Sequence, residues 1–431
     1  MNSASAPGSM LDHVLPGAKE DIYYYNSATS KKQSIASVQR TNFRQDLATK
    51  GQGASVITIS PSEGISHVIL ALQMVAGGTA ASPSTIYNGY ALPRGWLYSA
   101  IDKIQWRYGS TQVFEQSGQA LLIQMLTTSG GLEESSRLLQ LAGSECIKPI
   151  DFTGDKCYAY GVLPMPHCQA QSVSVPNPFP SELLNAPITI TIFLKPLSSV
   201  FNLNPAYTGV AGALPNAWQD AYVQVRQINA LDRGQLEKPS ASSRYGFPIT
   251  FYQQVNSVNL QPSSSSQTVN LTGFQSGSCR GIYVWCIDTD DTTNAKYNPN
   301  QFVNLRDMQL SYQGNVLHDY RGISGTALDV LFTTTPSLIN NSVLSAGAAT
   351  TDPTAAWGSA PEIDYFIHFP MQQRYEGLTG DYMDVKGVYV ANGLMNLTLV
   401  TPAAKSTYKL FYMPYYGAAL MLHQGACEYV Y

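Results

Sequence analysis

The stretch Ile101 to Thr128, IDKIQWRYGSTQVFEQSGQALLIQMLTT, is written a second time in the chain, as Leu305 to Thr334, LRDMQLSYQGNVLHDYRGISGTALDVLFTT. At the one offset that carries Ile101 onto Leu305, Ile104, Gln105, Trp106, Tyr108 and Val113 fall on Met308, Gln309, Leu310, Tyr312 and Leu317. Ser117-Gly118 then meets Ser324-Gly325 after a small insertion, and both copies reach a threonine pair. The apolar positions therefore keep their phase through two elements and the turn between them.

The echo extends on both sides. Val56-Ile-Thr-Ile and His67 to Leu72 upstream parallel Val269-Asn-Leu-Thr and Gly281 to Cys286. Tyr160 to Met165 downstream parallels Phe366 to Met371, and Leu183-Leu184-Asn185 before an Ile-Thr-Ile run parallels Leu394-Met395-Asn396 before Leu397. Five blocks recur in one order, and a repeat this long is a whole domain, since solenoid units span roughly 20–50 residues. The chain of 431 residues also exceeds the ~250–300 residues at which a single core stops growing, so two domains are expected.

Within each copy the runs Ser55 to Ile59, His67 to Met74, Ile101 to Tyr108 and Ile188 to Leu194 alternate apolar residues with Thr, Gln or Ser, the period of half-buried strands. Gly77-Gly78, Pro83, Pro93 and Gly130-Gly131 punctuate them densely, which suits an all-β sandwich with long loops. Two helices, Gln119 to Thr128 behind an N-cap at Ser117 and Glu133 to Ala142, are expected at the sandwich edge. Ala213 to Leu231 places Trp218, Tyr222, Val225 and Ile228 about a turn apart and predicts a linker helix between the copies. The division expected is an N-terminal arm over 1–40, sandwiches over 41–204 and 244–424, a linker with its helix over 205–243, and a tail over 425–431.

Composition excludes several functions. Charged residues make up 13% and the net charge is −4, too little clustered Lys and Arg for sequence-specific nucleic-acid binding. Lys31, Lys32, Arg40, Arg44 and Lys50 form one local basic excess, read as a solvated arm that also carries Tyr23 to Tyr25. No signal peptide and no apolar run of ~20 residues is visible, so synthesis in the cytosol with reduced cysteines is expected. His13, His67, His167, His318, His368 and His423 make no metal-binding motif, which removes a two-domain cupin. Cys146, Cys157, His167 and Cys168 are too widely spaced for a zinc site, and His318-Asp319 and Asp288, Asp290 and Asp291 are read as turn residues. No catalytic, cofactor-binding or metal residues are assigned, and no cofactor. The sequons at Asn270, Asn340 and Asn396 carry little weight, two of them lying within strands.

What remains is a duplicated sandwich with long polar loops and little charge. In Gly277 to Cys286, in Leu305 to Leu317 with His318-Asp319-Tyr320, and in their first-half echoes, the sequence resembles the double jelly-roll major capsid proteins of icosahedral double-stranded DNA viruses. This is the lineage of adenovirus hexon, tectiviruses, virophages and the large nucleocytoplasmic viruses. The resemblance implies two eight-stranded jelly rolls per chain, upright in a homotrimer of pseudo-hexagonal outline that tiles a virion shell. It also implies as partners further copies of the chain, minor capsid, penton or cement proteins, and an internal membrane for the arm. The loops Thr79 to Arg94, Gly130 to Lys156, Asp288 to Gln301 and Ser337 to Pro361 would face outward. The rival is a carbohydrate-binding or glycan-processing protein with two jelly rolls, which would need carboxylate pairs or exposed Trp in a groove.

Overall fold

The computed structural model describes residues 38–62, 64–75, 78–79, 82–83, 85–92, 95–128, 132–143, 158–165, 181, 184–203, 207–230, 245–261, 266–288, 305–324, 343–345, 351, 358–360, 366–371, 388–390, 395–401, 408–423 and 426–430. Eight strands build the first sandwich: β1 (Val38–Asp46), β2 (Gly53–Ile59), β3 (Gly64–Gln73), β4 (Ile101–Tyr108), β5 (Thr111–Ser117), β6 (Tyr158–Val162), β7 (Ile188–Leu194) and β8 (Asp220–Ala230). They form two antiparallel sheets, sheet I in the order β1-β8-β3-β6 and sheet II in the order β2-β7-β4-β5. Strands that follow one another in sequence mostly alternate between the two sheets, and that crossing-over defines a jelly roll.

The second sandwich repeats the order. Its strands are β9 (Tyr245–Tyr252), β10 (Asn256–Leu260), β11 (Gln267–Leu271), β12 (Gly277–Asp288), β13 (Arg306–Tyr312), β14 (Asn315–Ser324), β15 (Ile367–Pro370), β16 (Val388–Val390), β17 (Met395–Val400), β18 (Tyr408–His423) and β19 (Ala426–Val430). Sheet III runs β9-β18-β12-β15, with β10 and β19 also on β18 and β16 on β12; sheet IV runs β11-β17-β13-β14. Strands β9 and β10 are one interrupted strand along β18, so sheets III and IV match sheets I and II strand for strand.

The equivalence holds at residue level. The row Ile57, Ile190, Trp106, Phe114 across sheet II corresponds to Val269, Leu397, Leu310, His318 across sheet IV. A register shift follows Trp106 in the one copy and Leu310 in the other, so even a β-bulge is repeated. Gln105 Nε2 donates to Glu115 at 2.5 Å and Gln309 Nε2 donates to Asp319 at 3.2 Å, across the same strand pair. In sheets I and III, Gly161 and Val223 flank Leu70 as Ile367 and Tyr412 flank Val284. Two blocks of the sequence repeat need a new register. Ile57, not Val56, matches Val269, because Val56 points outward while Ile57 and Val269 are buried; and Ile188, not Leu184, stands where Met395 does.

The expected linker helix is not there. Residues 220–230 form β8, the strand between β1 and β3, with Ala221, Val223 and Val225 turned into the core and Tyr222, Gln224 and Arg226 turned out. The spacing of Trp218, Tyr222 and Val225 mimicked a helical face because Tyr222 lies on the outward side, while Trp218 precedes the strand and stacks on Trp96 at 5.6 Å. The first sandwich therefore extends through Ala230, and β19 pairs with β18, so residues 426–430 belong to sheet III and not to a separate tail.

Candidate interaction surface

Sheet III is covered on both faces. Ile282, Val284, Cys286, Leu410, Tyr412 and Tyr416 point into the second sandwich's own core. The alternate residues Tyr283, Trp285, Ile287, Met413 and Tyr415, with Phe366, join the core of the first sandwich. Burial on both sides is why Gly281 to Ile287 reads as an unbroken apolar run.

Facing this second side are β5 and the helix α2 (Gly118–Thr128), which follows α1 (Trp96–Ser99) and precedes α3 (Leu132–Leu141). Ser117 Oγ accepts from the Ala120 N–H at 3.4 Å, the N-cap expected from the sequence. Its place differs from expectation: Ala120 to Met125 are buried on every side, so α2 is sealed between the sandwiches and does not lie on an edge. The indole N–H of Trp285 donates to Gln119 Oε1 at 3.3 Å, and Gln116 Nε2 donates to the carbonyls of Tyr252 at 3.0 Å and Gln253 at 2.9 Å. Gln254 Nε2 donates to Glu115 Oε1 at 3.3 Å, and Thr111 Oγ1 donates to the Cys427 carbonyl at 2.8 Å.

These contacts fix the relative direction of the sandwiches. The long connections β3–β4 and β5–β6 leave one end of the first sandwich, where Gln73 pairs with Tyr158 and Lys103 with Ser117. The connections after Asp288 and Ser324 leave the matching end of the second, where Asp288 pairs with Tyr408 and Ser324 with Arg306. Thr111, at the opposite end of β5, meets Cys427, which pairs with Leu422 beside the start of β9. Gln119, at the loop end, meets Trp285 toward the loop end of β12. The two sandwiches thus stand side by side with their long loops at one end, and Val38, where β1 begins opposite Ala230, lies at the other. Of the loops expected there, 79–94 is packed in part: Tyr87 is buried, stacks on Phe201 at 5.1 Å and donates to the Val75 carbonyl at 2.6 Å. Segment 130–156 contains α3, while 289–301 and most of 337–361 lie outside the described residues, as does the arm 1–37.

The remaining candidates for chemistry resolve into structure. His318 and Asp319 sit on β14 and not in a turn. The ring of His318 lies inward against Phe369, with Nε2 2.7 Å from the Pro370 carbonyl, and burial lowers its pKa. Asp319 points outward to Arg321, whose guanidinium holds the carboxyl down at about 2. His368 is enclosed by Tyr283 and Tyr415; burial, then the neighbouring His318, depress it to about 3. Arg44 and Lys50 both bind Asp220, at 2.9 and 3.1 Å, so part of the basic excess is neutralised by the fold. Cys279, Cys286 and Cys427 are buried and in no disulfide; Cys146, Cys157, Cys168, His13, His167, Asp290 and Asp291 lie outside the described residues. Among the described residues no three His, Cys, Asp or Glu side chains come together as a metal would require, and no helix is long and apolar enough to cross a membrane. Trp96, Trp106, Trp218 and Trp285 are all buried, which leaves no described Trp to line a sugar groove.

No family model matches the sequence, and no curated protein matches it. Solved structures do. The chain is similar to the PBCV-1 protein VP54 as fitted into a reconstruction of the virophage Sputnik, with a TM-score of 0.58 and 11% identity over 93% of this chain and 98% of that one. It is similar to the Faustovirus major capsid protein with a TM-score of 0.59 and 8% identity over 93% of both chains. The Sputnik virophage structure matches with a TM-score of 0.53 and 11% identity over 94% of this chain and 91% of that one. The chain thus has an all-β fold of two tandem jelly rolls. It is the double jelly-roll fold of these capsid proteins, present over nearly its whole length.

Proposed function

We propose that the chain is the major capsid protein of an icosahedral double-stranded DNA virus, assembling as pseudo-hexagonal homotrimers into the virion shell. The observation that carries this reading is the pair of whole jelly rolls standing side by side in one direction, over the full span of the capsid proteins that share the fold. Such a body is a tile: three copies supply six similar uprights around one axis. With the long loops at one end and Val38 at the other, the loops form the outer surface. The segment 1–37 then reaches inward to a neighbouring capsomer, a minor capsid, penton or cement protein, or an internal membrane. The chain carries no enzymatic activity and no cofactor in this role.

Light scattering and negative-stain microscopy of the purified, folded protein test the reading. Trimers or hexagonal plates are expected; a monomer at micromolar concentration refutes it. Glycan-hydrolysis assays and metal analysis should be blank, and a stoichiometric metal would instead point to chemistry.

A further inference from the structure

The first strand of each sandwich lies at the edge of its sheet, β1 beside β8 and β9 with β10 beside β18, and the two copies treat that edge differently. In the second sandwich it is interrupted. Pro248 removes one N–H, and the strand breaks between Tyr252 and Asn256. There Gln253 donates its N–H to the Pro414 carbonyl and engages Gly273, Gln275 and Tyr416 with its side chain. Phe43 stands in the place of Gln253, since it pairs with Val225 on β8 as Gln253 bonds to Pro414 on β18. Strand β1 has no such break: VQRTNFRQD holds one register from Val38 opposite Ala230 to Asp46 opposite Tyr222, without proline, glycine or bulge.

No described strand pairs with the far side of β1, and Asn42 to Asp46 are all exposed. Alternate residues of an edge strand turn their N–H and C=O away from the sheet, so this side is a row of open donors and acceptors. Phe43 shares the inward face with the buried Val225 and is nevertheless 53% exposed. Arg44, which could guard the edge, is folded back over its own sheet: its guanidinium lies 3.9 Å above the Tyr222 ring and donates to Asp220 at 2.9 Å.

What fits this edge is written in the strand itself. Two copies of β1 laid antiparallel about Phe43 bring Phe43 opposite Phe43, Asn42 opposite Arg44, Thr41 opposite Gln45 and, at both ends, Arg40 opposite Asp46. Aromatic and opposite-charge pairs directly across an antiparallel ladder stabilise it. Slipping the register by two residues in either direction sets Arg44 opposite Arg40 or opposite itself, which like-charge repulsion disfavours. We infer that β1 is a docking edge for β1 of a second copy of this chain, joining their two sheets I into one across a two-fold axis at Phe43. The contact is isologous, and a cyclic trimer contains no two-fold axis, so it links chains of different trimers. This deepens the capsid reading, on whose trimer it rests. So short a ladder is a weak bond for one pair of chains, and the three edges of a trimer reinforce it through avidity.

The test is disulfide trapping in the full-length trimer. Residues directly opposite in an antiparallel pair have Cα atoms about 4.5–5.5 Å apart, within disulfide reach, so Phe43→Cys should cross-link different trimers on mild oxidation. Dimers on denaturing gels without reductant, and species larger than trimers in solution, are expected. The unsubstituted chain, and Val56→Cys on the edge strand β2 where Val56 is 58% exposed, should give neither. Charge reversal checks the register: Asp46→Arg should raise the concentration at which trimers associate about 10-fold or more, and adding Arg40→Asp should restore it. Trimers of Phe43→Cys that do not cross-link, or Asp46→Arg trimers that associate as the wild type does, overturn the inference and leave the capsid reading standing. A wild-type chain that stays monomeric removes the capsid reading and the inference with it.

Discussion

Replacing Trp285 by Ala should uncouple the two sandwiches before it unfolds either. The indole is almost fully buried on the outward side of β12, stacked on Phe411 at 5.8 Å, with its N–H on Gln119 of α2. A Trp side chain buries roughly 200 Å², and at about 25 cal/mol per Å² its removal forfeits on the order of 5 kcal/mol. Compactness of the unfolded chain takes about a fifth from that figure, which leaves about 4 kcal/mol, within the roughly 3–5 kcal/mol usual for Trp→Ala in a core. The loss falls on the contact between sandwiches, because the opposite face of β12, with Ile282, Val284 and Cys286, is untouched. Hydrogen exchange by mass spectrometry reads this directly: amides of α2 should exchange faster in the variant, while those of β11, β13 and β17 in sheet IV keep their protection. Unchanged protection of α2, or uniform loss across all four sheets, would refute the view that α2 is held by the second sandwich's outward face.

Three further outcomes follow from single residues. A Cβ at Gly118 would stand 1.9 Å from the Tyr98 carbonyl oxygen and 2.6 Å from that of Ile101, so Gly118→Ala should abolish soluble folded protein. Gly314→Ala, at a hairpin position with φ of 80° and nothing near its Cβ, should cost only about 1 kcal/mol of strain, read as a small drop in melting temperature. His368 is held neutral in the fold, its pKa depressed from 6.5 to about 3, so only the unfolded chain takes up the proton between those values. Stability is therefore full above about pH 6.5 and declines toward pH 3, by up to about 1.4 kcal/mol per pH unit from this group. Melting temperatures measured between pH 7.5 and 4 should fall less steeply in His368→Gln, and an identical slope would show that the histidine is protonated in the fold.

The duplication was legible because it is written in the positions that face each core. Ile104, Trp106 and Tyr108 against Met308, Leu310 and Tyr312 preserve phase, and phase alone decides which way a strand's side chains point. The misplaced register at Val56 has the same origin. An apolar residue on the outward side of the edge strand β2 imitates its inward neighbour Ile57, and only the pairing of Ile57 with Ile190 separates them. Strand β8 imitates a helix in sequence because Tyr222 breaks its alternation, and Tyr222 is apolar on the outward side for a tertiary reason: the guanidinium of Arg44 on β1 sits 3.9 Å above its ring. The burial of α2 could have been foreseen, since GQALLIQMLTT has no strongly polar face to turn to water.

The difference between the copies is as informative as their likeness. His67 to Leu72 and Gly281 to Cys286 are one strand written twice, and their inward residues, Val68, Leu70 and Leu72 against Ile282, Val284 and Cys286, serve the same task. Their outward residues diverge in size: Ile69 and Ala71 stand where Tyr283 and Trp285 stand. Large aromatics lie on the copy whose outward face is sealed within the chain, where every subunit has the contact as soon as it folds. In sheet I the same two positions take smaller residues, and Ala71 is itself almost fully buried, with Tyr222 and Tyr160 as its neighbours on the adjoining strands, so the aromatic surface that Trp285 supplies from β12 comes in the first copy from β8 and β6.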